Sequence, residues 1–210
     1  MNEMMNNNTV YLTGEIAETP TYSHQIYGEG FYETKMSVAR LSEQVDLIPI
    51  TISERLISEN GISVGDKLSI IGQFRSYNKL IDGRSKLMLT VFVREFLDED
   101  EEEFVNQIDL IGYVCKPPIY RTTPFKREIA DILIAVNRAY NKSDYIPCIA
   151  WGRNARFASN LDIGTKISLS GRIQSREYQK INSEGEYETK VAYEISISRI
   201  GYCDLEDEIS

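Results

Sequence analysis

Residues 129–151 read IADILIAVNRAYNKSDYIPCIAW, two apolar, β-branched runs joined by the short polar stretch Asn141–Ser143. Branched side chains pack well on a pleated surface, so Ile129–Tyr140 and Asp144–Trp151 are predicted to be two strands of a hairpin. Upstream, Gln107–Lys116 alternates Ile108, Leu110 and Val114 against other residues, as a half-buried strand does. Downstream, Ala155, Ala158 and Leu161 fall at helical spacing, which predicts a short helix over Asn154–Leu161 with Asn154 as its N-cap and Gly164 as a stop signal. Lys166–Tyr178 and Tyr187–Tyr202 supply two more strands. The polar turn INSEGE between them has Gly185 where a positive φ is expected.

The same pattern occurs twice. At an offset of 98, Gly14 falls on Gly112, Tyr22 on Tyr120, Val38 and Arg40 on Val136 and Arg138, and Asp46, Ile48 and Pro49 on Asp144, Ile146 and Pro147. After one added residue, Gly65, Lys67, Gly72 and Ser76 match Gly164, Lys166, Gly171 and Ser175. A register held through so many positions marks a tandem repeat. Five strands with one short helix between the third and fourth is the order of an OB barrel, a partly open Greek-key structure. The predicted fold class is therefore all-β, with two tandem five-stranded OB barrels. Residues 1–97 form the first and 104–203 the second; 98–103 are an acidic linker and 204–210 an acidic tail.

Taken as a total, the net charge of −9 argues against a polyanionic partner, but its distribution does not. Residues 98–103 carry −6 and residues 204–210 carry −4, whereas residues 104–203 hold fourteen Lys and Arg against ten Asp and Glu, a net +4. No apolar stretch is long enough for a membrane span and the N-terminus MNEMMNNN is no leader, so the chain is expected in the cytosol. Cys115, Cys148 and Cys203 are odd in number, lack metal-ligand spacing and are expected to be reduced and structural. The one histidine, His24, sits in a polar stretch, so no His-dependent triad or metal site can be assembled. Gly28 and Gly30 are followed by Glu33 where a dinucleotide fingerprint needs glycine. The chain is read as a non-enzyme without metal, cofactor, membrane contact or small-molecule substrate.

What remains is stacking and phosphate chemistry. Binding a single strand without regard to sequence needs flat side chains under the bases and cations along the backbone. The second copy offers Tyr140, Tyr145, Trp151 and Tyr178 among Arg121, Lys126, Arg127, Arg138, Lys142, Arg153, Arg172 and Arg176. In SGRIQSREY, Arg172, Gln174, Arg176 and Tyr178 alternate and so share one strand face. Aromatic residues favour strands in any case, and this pattern alone leaves Trp151 open between core and binding.

At these residues the chain resembles the bacterial single-stranded DNA-binding protein family, through IDLIGYV, IAVNRAY, DYIPCIAWGRNA and GTKISLSGRIQSREY. In that family, rings near the end of the second strand, on the third and at the end of the fourth stack on bases. The resemblance therefore implies stacking by Tyr140, Tyr145, Trp151 and Tyr178. It also implies four barrels per assembly, reached here by a homodimer, and a role in protecting or organising single-stranded DNA in replication, recombination or repair, with proteins of those processes as possible partners. The first copy departs from the pattern: Ser42, Leu47 and Ser53 stand at the positions of Tyr140, Tyr145 and Trp151. It is expected to pack, dimerise and give auxiliary contacts through Arg40, Phe74, Arg75, Tyr77 and Lys79, with Tyr22, Tyr27, Phe31 and Tyr32 as further aromatic residues. The family's usual acidic tip ending in Pro-Phe is replaced by Asp204–Ser210, which puts partner recruitment through the tail in doubt. Two alternatives stay open, a protein-interaction module of a replication or primosome complex and an RNA binder.

Overall fold

The computed structural model describes residues 7–40, 42, 44–81, 83–97, 106–181 and 185–203; the acidic linker and tail expected from the sequence lie outside them. The first half contains β1 (Asn8–Ile16), β2 (Thr21–Ile26), β3 (Glu29–Ala39), β4 (Val45–Ser53), α1 (Glu54–Asn60), β5 (Lys67–Ile81) and β6 (Arg84–Leu97). The second repeats the order as β7 (Asn106–Val114), β8 (Ile119–Thr122), β9 (Glu128–Arg138), β10 (Lys142–Trp151), α2 (Arg153–Ala158), β11 (Lys166–Ile181) and β12 (Tyr187–Tyr202). In each half the first long strand pairs with both the third and the fifth, and the fourth pairs in parallel with the sixth, which closes an OB barrel. Inward positions follow the expected alternation: Ile108, Leu110 and Val114 on β7, and Ile146, Cys148 and Ala150 on β10, are all buried.

Three expectations are corrected. Each barrel has a sixth strand, the short β2 or β8, whose residues are all exposed. Without one buried face, such a strand leaves no alternation to read in the sequence. The second helix begins at Arg153 rather than Asn154, because Gly152 is the N-cap with φ 52° and the Asn154 amide donates instead to the Ser198 carbonyl at 3.0 Å. It also stops at Ala158, although Leu161 still packs into the core. Finally, Tyr140 lies beyond β9, in a turn where Tyr140 and Asn141 both adopt positive φ, 62° and 54°. Consecutive left-handed residues suit the twist of a tight hairpin and end the strand early.

The barrels are joined more closely than a tandem repeat requires. Strands β1 and β7 pair antiparallel from Asn8 opposite Leu110 to Leu12 opposite Asn106, so the described strands form one twelve-stranded sheet. Matched residues of the repeat occupy matched places across this seam. Asp46 Oδ1 accepts from the Ser175 amide at 2.6 Å and hydroxyl at 2.8 Å, and Asp144 Oδ1 accepts from the Ser76 amide at 2.7 Å. Each pin thus crosses from one barrel to the other. Within each barrel the Asn8 side chain bonds both backbone groups of Phe74, and Asn106 does the same for Ile173. The repeated Gly72 and Gly171 sit at bulges, where an added Cβ would lie 2.6 Å from the Phe92 carbonyl and 2.4 Å from that of Ser196. Only glycine fits at that separation.

Candidate nucleic-acid interface

Inward Ile146, Cys148 and Ala150 force Tyr145 and Trp151 onto the outer face of β10, where they are 47% and 39% exposed. Six residues apart, they are separated by about 20 Å along the strand. Register carries this face across the sheet. Ser196 on β12 stands opposite Arg172 on β11, Ala192 opposite Arg176 and Lys190 opposite Tyr178. The Trp151 indole N–H donates to Ser196 Oγ at 3.2 Å, which holds the ring beside the Arg172 row. Tyr178 is 36% exposed, and Tyr140, at the tip of the β9–β10 turn, is 88% exposed. The open question over Trp151 is thereby answered in part: it is a surface residue tethered by one hydrogen bond, outside the buried core.

The cations differ in their surroundings. Lys126, Arg127, Lys142 and Arg153 are exposed. Arg121 pairs with Asp131 at 2.9 Å, and Arg176 approaches Glu194 at 3.5 Å, the carboxylate that also accepts from the buried Gln174 amide at 2.9 Å. Arg172 lies 3.4 Å from Gln174 Oε1, next to a concavity of about 540 Å³ that also holds Arg199, a cation the sequence reading passed over. Arg138 points toward the first barrel, 3.4 Å from buried Asp144. Phe125, beside Lys126 at the β8–β9 turn, is strongly exposed as well. Its place after Pro124 in a turn sequence was the available signal.

The first barrel treats its aromatic side chains differently. Phe74 is 0% exposed and cannot meet a ligand, which corrects its expected auxiliary role. Its neighbours Arg75 and Tyr77 face outward, and adjacent strand residues point to opposite sides. Phe31 is also buried, stacked on His24 with centroids 5.2 Å apart and tilted against Phe92 at 5.4 Å. The Arg75 guanidinium lies 4.1 Å above the Phe92 ring. Burial, and then the nearby Arg138, push its pKa down to about 10. Tyr77 donates to Glu33 at 3.2 Å, and burial followed by that carboxylate raises its phenol to about 12. Arg40 makes a two-pronged contact with Asp46 at 2.6 and 2.7 Å and donates to the Ser175 carbonyl, so it is bound into the seam. Lys79 is exposed. Between this face and the Tyr140 turn of the second barrel lies a cleft of about 1060 Å³, lined in part by Arg75, Tyr77, Phe92, Arg94 and Lys142.

The seam carboxylates titrate in opposite directions. Burial pulls Asp46 up, but Arg40 and the two Ser175 donors outweigh it and hold its pKa below the ordinary value. For Asp144 burial prevails over Ser76, Arg138 and Arg75, and its pKa is raised; its Oδ2 has no hydrogen-bond partner among the described residues. The three cysteines are free thiols, and burial pushes Cys148 far up. No cluster with metal-ligating composition occurs among the described residues.

Residues 105–200 match the model of the single-strand binding protein family, so that match covers the second barrel. The chain is 32% identical over 97 residues to the single-stranded DNA-binding protein 3 of Clostridium acetobutylicum, covering 43% of this chain and 67% of that protein. It is 36% identical over 88 residues to the single-stranded DNA-binding protein 1 of Staphylococcus aureus, covering 39% of this chain and 52% of the relative. It thus spans about half the length of the first of the curated relatives it matches. The crystal structure of the single-stranded DNA binding protein from Thermus aquaticus superposes with a TM-score of 0.70 at 19% identity, over 94% of this chain and 93% of the other, and so shares the two-barrel fold. At 32% identity over two thirds of that Clostridium relative, and with residues 105–200 matched by the family model, the chain belongs to the single-strand binding protein family.

Proposed function

We propose that the protein binds single-stranded DNA without regard to sequence and serves to protect or organise it in replication, recombination or repair. The observation that carries this reading is the outer face of the second barrel. Tyr145 and Trp151 on β10, and Tyr178 with Arg172 and Arg176 on β11, stand there with β12 between the two strands, and Tyr140 and Lys142 extend the face at the β9–β10 turn. A base stacked on such a ring contributes roughly 1–3 kcal/mol, and cations along the same face release counterions from the backbone. The names of the relatives support DNA as the ligand. The second barrel is the main platform, and the first barrel contributes through the seam and the cleft. A homodimer of four barrels in the bacterial cytoplasm, associated with the nucleoid, fits this reading, and no described helix is long and apolar enough to cross a membrane.

The test follows Trp151 fluorescence during titration with unlabelled oligo(dT) at two salt concentrations, with duplex DNA and oligo(rU) in parallel. Strong quenching by oligo(dT), weakened by salt and absent with duplex, is the expected result. Tighter binding of oligo(rU) would shift the ligand to RNA, and no binding at all would favour a protein-docking module.

A further inference from the structure

We infer that Ser76, in the first barrel, is a positioning residue for the stacking side chain Tyr145 in the second; the inference rests on the strand-binding reading of that face. The need for an outside support comes from the sheet. Strand β12 pairs with β10 only at Cys148 and Ile149, so the earlier part of β10, which carries Tyr145, has β9 as its ladder partner on one side. The Tyr145 amide does not go to a strand of its own barrel. It donates to Ser76 Oγ at 2.8 Å, while the Ser76 amide donates to Asp144 Oδ1 at 2.7 Å. Ser76 on β5 thus holds two successive residues of β10 by their backbone and side chain. Without that acceptor the exposed Tyr145 amide would turn to water, the early part of β10 would lose its tie to β5, and the Tyr145 ring would move with its own backbone.

The mirror contact does a different task. There the Ser175 hydroxyl bonds Asp46 Oδ1, Arg40 closes on the same carboxylate, and the residue after Asp46 is Leu47 rather than an aromatic residue. One half of a pseudo-symmetric seam is thus an ion-paired clamp. The other is a brace beneath the binding face. This gives the first barrel an effect on the second barrel's site without any contact of its own with the strand.

The experiment is a double-mutant cycle on the full chain, with oligo(dT) affinity and melting temperature read on the same samples. Ser76→Ala is expected to weaken binding about threefold to tenfold, and to have no further effect in a Tyr145→Ala background. Ser76→Thr, which keeps the hydroxyl, is expected to bind more tightly than Ser76→Val, which has the same shape without it, and this pair serves if Ser76→Ala does not fold. Equal loss from Ser76→Ala with and without Tyr145 would mark general loosening and overturn the inference. So would unchanged affinity in Ser76→Ala while Tyr145→Ala weakens binding, an outcome that leaves the strand-binding reading intact. Unchanged affinity in Tyr145→Ala itself would remove Tyr145 from the binding face, and the inference with it.

Discussion

The two barrels share a scaffold to the level of single atoms in their repeated glycines, asparagine latches and seam aspartates, yet they spend their outer faces in opposite ways. The second leaves Tyr145 and Trp151 on β10 and Tyr178 on β11 partly open, with β12 between them. The first turns Phe31, Phe92 and His24 toward one another and caps Phe92 with Arg75. Ring-to-ring and cation–π contacts contribute modestly to stability where bases could otherwise contribute to affinity. The difference shows that one barrel architecture can carry either an open aromatic face or one packed on itself. The family match likewise falls on residues 105–200, while the fold match covers both halves.

The largest expected effect tests the shared scaffold. Gly72→Ala and Gly171→Ala should each cost about 3 kcal/mol in urea unfolding, because the new methyl meets a backbone carbonyl that cannot step aside. A cost confined to one barrel would break the equivalence. Next comes the seam. Asp46→Asn should lose about 2 kcal/mol at neutral pH by breaking the two-pronged Arg40 contact, whereas Asp144→Asn should lose less. The signs with pH also differ. Asp46, held below the ordinary 3.8, contributes stability above that value and loses it as pH falls through its folded pKa. Asp144, raised above 3.8, contributes below that value and loses its contribution as pH rises through its folded pKa. Melts of the two variants from acid to neutral pH should therefore diverge from wild type in opposite directions.

Strand binding sharpens the contrast of the faces. Trp151→Ala and Tyr178→Ala should each weaken oligo(dT) binding by about 1–3 kcal/mol. Ser53→Ala, at the position aligned with Trp151, should leave binding unchanged and cost about 1 kcal/mol of stability, since Ser53 caps α1 by accepting from the Leu56 amide. Equal binding losses in both barrels would overturn the division of roles. The smallest effect is on salt dependence: Arg172→Ala or Arg176→Ala should lower the slope of log affinity against log salt by roughly one each. Arg40→Ala should change stability instead, being bound to Asp46.

Much of this was legible along the chain. The pattern of 129–151 showed two strands but left Trp151 open between core and surface, and strand alternation would have put Phe74 inside, once Arg75 and Tyr77 were taken as outward. The exposed strand β8 carried no such signal. Tyr140 was read as the end of a strand because its positive φ depends on the hairpin twist, not on the side chain.

By itself the sequence determined the duplication, the order of strands and helix, the basic second half and the rings of its face, all of which follow from local periodicity and composition. The tertiary structure alone decided that β1 and β7 fuse the barrels into one sheet, that Arg40 and Arg138 belong to the seam, and that Ser76 supports β10. The repeat had already matched Arg40 with Arg138 and Ser76 with Ser175, but a serine does not announce an acceptor 68 residues away. Such partners are fixed by the folding of the whole chain, where buried polar groups must find one another.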